Sequence, residues 1–390
     1  MRKTAVRNCK TTVNLLSLIL AGLIGLYLLG ASACQSGNLE SDASGSPTLM
    51  TTAAPTDAVT SATTEPADTT AASSSGISTE TGAAPGALLN PLTGEPLLRP
   101  ESAGQRPVAV MINNIKKALP QIGVSQADLI YEMEVEGGIT RLMAVFADVA
   151  AIPELGSIRS ARHNYIDYAG GLDAVLVHIG ASYAAVEQFA SQDATHIELG
   201  NYPAAYWRDA AWQKERGKEH SVKTSGEKLT ALWADGSFRT TLRDGQKPAF
   251  RFNGDFQAAA GSDANQITVP YSNYVTATFT YNAERRQYAK GEFGAAQIDQ
   301  ATGEPLRFTN VFLLQTTISS YEGTILRNAD LSGGQGFYLS GGRYQPITWR
   351  KGAAADPFVF TRADGSELTV NTGKSYIGII SSSRAIRFDS

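Results

Sequence analysis

The sequence predicts an α+β protein. An N-terminal α/β domain with a mixed sheet spans residues 88–244, a small β-rich domain spans 245–390, and a disordered tether precedes both. Three observations carry this reading. Between Asn90 and about residue 240, strand-like and helix-like runs interleave, the pattern of an α/β unit. Beyond Gly245 only short strand-like runs remain, separated by Gly, Asp and Asn turns, which reads as a sandwich or open barrel. Residues 35–87 are rich in Ser, Thr, Ala, Pro and Gly, with six acids and neither a basic nor an aromatic residue. Such a composition buries too little surface to offset the entropy of ordering.

The first element is an address. Arg2, Lys3, Arg7 and Lys10 precede an apolar run from Val13 to Ala31, which ends in Ala31-Ser32-Ala33-Cys34. This is the layout of a lipoprotein signal peptide over residues 1–33, with Cys34 acylated and first in the mature chain. The alternative is an uncleaved membrane anchor, since the run is long enough to span a bilayer. Either way the remainder lies outside the cytoplasmic membrane, with the basic end inside. Residues 34–87 then act as a flexible spacer with a reach of roughly 40 Å.

The chain of 390 residues carries 33 Lys and Arg against 37 Asp and Glu, a formal charge of −4. That balance gives no general attraction to nucleic acid. The only cysteines are Cys9 and Cys34, so the folded part can hold neither a disulfide nor a cysteine-ligated zinc ion.

Within the first domain, Asn90-Pro-Leu-Thr-Gly94 is a turn and Arg106–Asn113 a buried strand. Leu129–Glu136 and Ile139–Ala147 alternate with period two across Gly137-Gly138, the signature of a hairpin with a two-residue turn. That turn would set Glu134 opposite Arg141 and gather Glu132, Glu134 and Glu136 on one face. One reading of this face is a solvated hairpin surface. The other is a cleft whose carboxylates hold a divalent cation or act as acid and base, with Glu132, Glu134 and Arg141 as catalytic candidates.

Ser157–Tyr168 reads as a helix start, with Arg159 and Arg162 on one face beside free N–H groups, a setting for phosphate or carboxylate. His163 and Asp167 are spaced to pair. The bland alternative has the arginines bridging to the three glutamates. Asp173–Gly180 is a strand and Ala184–Gln192 a helix, with a third helix over Ser225–Trp233. Ser182 between strand and helix suggests either a helix cap or a nucleophile elbow completed by Asp209 and His220, although Ala184 stands where the elbow motif has glycine. His196 and His220 show no metal-ligand spacing. Tyr202, Tyr206, Trp207 and Trp212, with Arg208, Lys214 and Arg216, form either an exposed platform for a sugar or partner, or a loop packed onto the sheet.

Taken together, Asn-Pro-Leu-Thr-Gly (90–94), Arg-Pro-Val-Ala-Val-Met-Ile-Asn-Asn (106–114), Ala-Asp-Leu-Ile-Tyr-Glu-Met-Glu-Val-Glu-Gly-Gly-Ile-Thr-Arg (127–141), Gly-Ser-Ile-Arg-Ser-Ala-Arg (156–162) and Asn-Thr-Gly-Lys-Ser-Tyr-Ile (371–377) resemble the YerB-like lipoproteins of Gram-positive bacteria. The resemblance spans about residues 88–382. It implies two adjoining domains of unknown function and places the family's polar motifs on Glu132, Glu134, Glu136, Thr140, Arg141, Arg159, Ser160 and Arg162, with His220 before a polar turn. The expected protein is an envelope lipoprotein on the outer face of the cytoplasmic membrane. Its expected ligand is anionic (a sugar phosphate, teichoic-type polymer or peptidoglycan fragment), bound through Arg159, Ser160, Arg162, His163, Glu136, Thr140 and His220. A hydrolase or transferase on the same cluster, and a non-catalytic partner of a membrane or wall-synthesis protein, are the alternatives.

Overall fold

A strand that is apolar on both faces must be covered on both, and strands of this kind make the centre of the molecule. In the computed structural model, which describes residues 88–192, 194–235 and 238–390, β1 (Val108–Asn114), β2 (Leu129–Glu134) and β3 (Thr140–Phe146) are buried along their whole length. The signal segment, Cys34 and the tether lie outside the described residues. After β3 come α1 (His163–Gly171), β4 (Val175–His178), α2 (Tyr183–Ser191), β5 (His196–Glu198), α3 (Ala210–Arg216) and α4 (Gly226–Trp233). The later strands that matter here are β6 (Gln287–Glu292), β7 (Asn310–Thr316) and β8 (Ser375–Ser381).

One eleven-stranded mixed sheet runs through both halves. β8 lies between β2 and β7 and is parallel to both, with Leu129 opposite Ser375 and Asn310 opposite Ser375 on its other side. The strands expected to close a sandwich or barrel therefore divide. Gly334–Ser340 and Arg343–Lys351 extend the large sheet beyond β7, while Gln266–Pro270, Thr276–Asn282 and β6 build a second antiparallel sheet. The physical reason is burial: β7 and β8 are covered almost throughout, which a position at the sheet's centre supplies.

The two faces of the large sheet have different covers. Met111, Tyr131, Met133, Met143 and Val145 pack with Tyr165, Tyr168 and Ala169 of α1 and Ala185 of α2. Val110, Ile112, Ile130, Leu142 and Ala144 pack with Val269, Tyr271, Ala277 and Phe279 of the second sheet. The helices follow local signals. Ser182 accepts from the Ala185 amide at 3.2 Å and caps α2, and Ser225 accepts from the Lys228 amide and caps α4.

The hairpin register differs from expectation by one residue. Glu134 lies opposite Thr140 and Met133 opposite Arg141. The connection uses three residues, Glu136-Gly137-Gly138, closed by the Val135 amide donating to the Ile139 carbonyl at 2.8 Å. Both glycines take the positive φ that the turn requires, +69° and +72°. A slip of one residue sends a side chain to the other face. Arg141 therefore joins Met133 on the helix side, while Glu132 shares the second-sheet side with Thr140.

Candidate functional site

On the helix side, the ends of β1 and β3 meet the segment before α1. That segment is extended where a helix start was expected, because Ile158 is fully buried and bridges to Ile112 along the open part of β1. The Asn113 amide donates to the Ser157 carbonyl at 2.8 Å and the Arg159 amide to the Met111 carbonyl at 2.9 Å. The helix begins only at His163, with Arg162 at its N-cap and no side-chain cap. Arg159 and Arg162 thus do not share a helical face, but the ends of β1 and β3 still bring both towards Arg141.

Glu136 is the carboxylate of this cluster. Arg162 holds it bidentately, Nε to Oε2 at 2.7 Å and Nη2 to Oε1. Burial pushes the Glu136 carboxyl up, but the hydrogen bond and charge of Arg162 prevail and leave it below its ordinary value. Arg141 is 3% exposed. Its Nη2 lies 3.9 Å from Glu136 Oε1, and its Nε and Nη1 are buried with no partner among the described residues. Burial, then the nearby charges of Arg162 and Arg159, push the Arg141 guanidinium down to about 9. It stays cationic at neutral pH but is poorly compensated.

Arg159 is half-buried, and among the described residues its guanidinium makes no ion pair or hydrogen bond. Burial lowers its pKa, with Glu219 opposing and Arg162 adding to the effect. It lines a cleft of about 300 Å³ with Ile179, Gly180, Arg208, Lys218 and Glu219. His220 closes this side, 3% exposed, with Nδ1 2.7 Å from the Asn113 side-chain Nδ2 and Nε2 3.3 Å from Glu219. Burial lowers its pKa, so the neutral ring accepts from Asn113 and offers Nε2–H to Glu219. Ser160 is half-buried and gives its carbonyl to Arg162 Nη1 at 3.3 Å.

His163 is placed differently from expectation. Its Nε2 lies 3.2 Å from Asn328 Oδ1 and its ring 4.6 Å from that of Tyr321, while Asp167 accepts from Gln188 at 2.9 Å. The expected His163–Asp167 hydrogen bond is absent because each has a nearer partner. The three residues of the considered nucleophile elbow also have separate engagements. Ser182 caps α2, Asp209 caps α3 and pairs with Lys223 at 2.7 Å, and His220 faces Asn113. Of the aromatic loop, Trp212 is buried between the Arg216 guanidinium and the Lys223 ammonium, each 4.0 Å from its ring, while Tyr202, Tyr206 and Trp207 are half-buried.

The opposite face holds Glu132 in a closed polar core. Its carboxylate receives Thr140 Oγ1 at 2.7 Å, Tyr376 OH at 2.6 Å and Asn114 Nδ2 at 3.1 Å, with Lys290 Nζ at 3.1 Å. Lys290 reaches Glu292 at 2.5 Å, and all three charged side chains are fully buried. Burial, then the charge of Glu132, push the Glu292 carboxyl up to about 7 against the pull of Lys290. Burial lowers the Lys290 pKa, but the two carboxylates outweigh it and raise it overall. Glu134 meets Arg327 at 3.4 Å and is raised by burial. Glu132 and Arg141 therefore do not share a face, and Glu132, Glu134 and Glu136 do not converge. Among the described residues, no group of three or more His, Cys, Asp or Glu is placed to hold a metal ion.

Sequence reasoning named Arg208 only as part of the aromatic and basic loop, and it missed Asn113, Lys218 and Glu219 on the first face and Asn114, Lys290, Glu292 and Tyr376 on the second. Two polar residues ending the apolar run of β1 were one available signal. The in-phase spacing of Tyr288, Lys290 and Glu292, all inward on β6, was another.

Two family models match the chain: the N-terminal domain of a protein of unknown function, DUF3048, over residues 92–239, and the C-terminal domain of the same family over 267–377. A Bacillus subtilis (strain 168) relative, YerB, whose name marks it as a candidate lipoprotein, is 29% identical over 304 residues, covering 75% of this chain and 86% of YerB. The crystal structure of Bacillus subtilis YerB superposes with a TM-score of 0.68 at 26% identity, covering 78% of this chain and all of that one.

Proposed function

The chain belongs to the two-domain DUF3048 family, and from that premise we propose that it is a lipoprotein on the outer face of the cytoplasmic membrane that binds an anionic envelope ligand through Arg141, Arg159 and Arg162. The name of its Bacillus relative and the signal-like segment ending at Cys34 support the anchor. The observation that carries the binding reading is Arg141, a buried guanidinium with two unpartnered nitrogen atoms beside two further guanidiniums and a single carboxylate. Buried donors are ordinarily paired, and leaving them unpaired costs about 1–3 kcal/mol. A phosphate or carboxylate at this place would accept from Arg141 and offset the mutual repulsion of the three cations.

Sugar phosphates, teichoic-type polymers and peptidoglycan fragments share that chemistry. The test is calorimetric titration with inorganic phosphate and with glycerol phosphate oligomers, using the wild type and Arg159→Ala. Arg159 is the informative position because removing it breaks no ion pair. A loss of affinity of tenfold or more with unchanged thermal stability supports the reading. Equal binding by both proteins, or none by the wild type at millimolar anion, refutes it.

A further inference from the structure

The arginine cluster continues outward, and the continuation says what kind of anion it suits. Deepening the anion-site reading above, on which it rests, we propose that the ligand is a linear polyanion of repeated phosphate groups, with one phosphate against Arg141, Arg159 and Arg162 and the next in the adjoining cleft, which Arg159 lines together with Arg208 and Lys218. Ser160 and Gly180 join the two places. The Ala161 amide donates to the Gly180 carbonyl at 3.0 Å, and a side chain at Gly180, where φ is +74°, would meet Ser160 Oγ. The backbone there stays low.

The charge count supports a ligand with more than one anionic group. Among the described residues, Arg141, Arg159, Arg162, Arg208, Lys117 and Lys218 are accompanied by the carboxylates Glu136 and Glu219. This excess of cations stands on a chain whose overall charge is −4, so it is a local feature rather than the tone of the surface. A single phosphate would leave most of it uncompensated.

The cleft is also partly organised in advance. Arg208 Nη1 donates to the Lys218 carbonyl at 2.6 Å, which fixes the guanidinium and lowers the cost of ordering it on binding. Glu219, exposed at the mouth, is the group an incoming polyanion must displace or tolerate. Its pKa is lowered by a backbone hydrogen bond first, then by His220, and further by Arg159 and Lys117, so it faces two of the cations a ligand would use. Glu219 thus serves as a stand-in anion in the free protein, and its charge opposes any second phosphate.

The experiment is titration of the full chain in detergent with inorganic phosphate, pyrophosphate, tripolyphosphate and a glycerol phosphate oligomer at fixed salt. Affinity is expected to rise at least tenfold from phosphate to tripolyphosphate. Arg208→Ala/Lys218→Ala should remove most of that gain while changing phosphate affinity less than twofold. Glu219→Gln should tighten tripolyphosphate severalfold, the sign a merely structural glutamate would not give. Equal affinity for phosphate and tripolyphosphate, or a gain with length that survives the double variant, overturns the two-place ligand and leaves the single-anion reading standing. Failure of all four probes to bind overturns both.

Discussion

Replacing Arg141 by Met separates a site residue from a scaffold residue, because the two roles predict opposite signs of stability change. The guanidinium is held from its ordinary value of 12.5 down to about 9 by burial and by Arg162 and Arg159, with the attraction of Glu136 already included. That displacement corresponds to about 5 kcal/mol favouring the uncharged form over its state in water. Met retains the unbranched stem and its packing while removing the charge and the two unpartnered donors. If half of the relief is lost to the vacated guanidinium volume and the weakened Glu136 contact, about 2 kcal/mol of stabilisation remains. Urea unfolding of the unit Ser78–Ser390 in phosphate-free buffer, read at 25 °C, measures it. The expected result is an Arg141→Met protein more stable than wild type by about 2 kcal/mol, with phosphate raising the midpoint of the wild type only. A destabilised variant would show that Arg141 is held by the fold for the fold's sake, and the anion-site argument would lose its central residue. Natural sites commonly trade stability for function in this way.

The core of Glu132, Lys290 and Glu292 gives two further predictions with opposite signs. Glu292, raised in the folded state, binds a proton that the unfolded chain releases, so its contribution is full below pH 4.5 and is lost as pH rises towards 7. That amounts to about 3 kcal/mol, and Glu292→Gln should flatten the fall in a pH series of urea midpoints; an unchanged slope argues against it. Lys290→Met leaves two carboxylates buried without their cation and should cost about 3–5 kcal/mol at pH 7, a loss that acidification partly restores. Ser182→Ala removes the cap of α2 and should cost about 1 kcal/mol with anion affinity unchanged. A fall in affinity beyond that cost would reopen a chemical role for the hydroxyl.

The elements were legible where hydrophobic period and turn chemistry agree. Gly137-Gly138 announced a hairpin, Ser182 and Ser225 announced helix starts, and β7 and β8 stood out as apolar runs. What a local pattern does not carry is which strand lies beside which. β8 enters the sheet between β2 and β7, more than 200 residues after β2 in sequence, and only the requirement to cover both faces of these strands places it there. The short helix Ala210–Arg216 was hidden for a related reason. Its seven residues show little periodicity, and its stability comes from the Asp209 cap and from Trp212 packed between Arg216 and Lys223.

The candidate site was legible in its residues but not in its geometry, and one residue of register accounts for most of the difference. In the alternation Glu132-Met133-Glu134, period two places the glutamates together whatever the turn. Whether Arg141 joins them depends on whether the turn spends two residues or three. It spends three, since Glu136 enters the turn, where Arg162 can grip it from the start of α1. The same step sends Glu132 and Thr140 into the dry space between the sheets, where Lys290 and Tyr376 satisfy them. A set of residues that reads in sequence as one mixed acid–base cluster thus becomes two chemically distinct places. One is a closed core in which the charged groups satisfy one another, and the other lies at strand ends where cations outnumber acids and, among the described residues, Arg141 keeps donors without a protein partner. The proposed ligand site is the second, because of these two places it is the one where buried Arg141 donors lack a protein partner among the described residues.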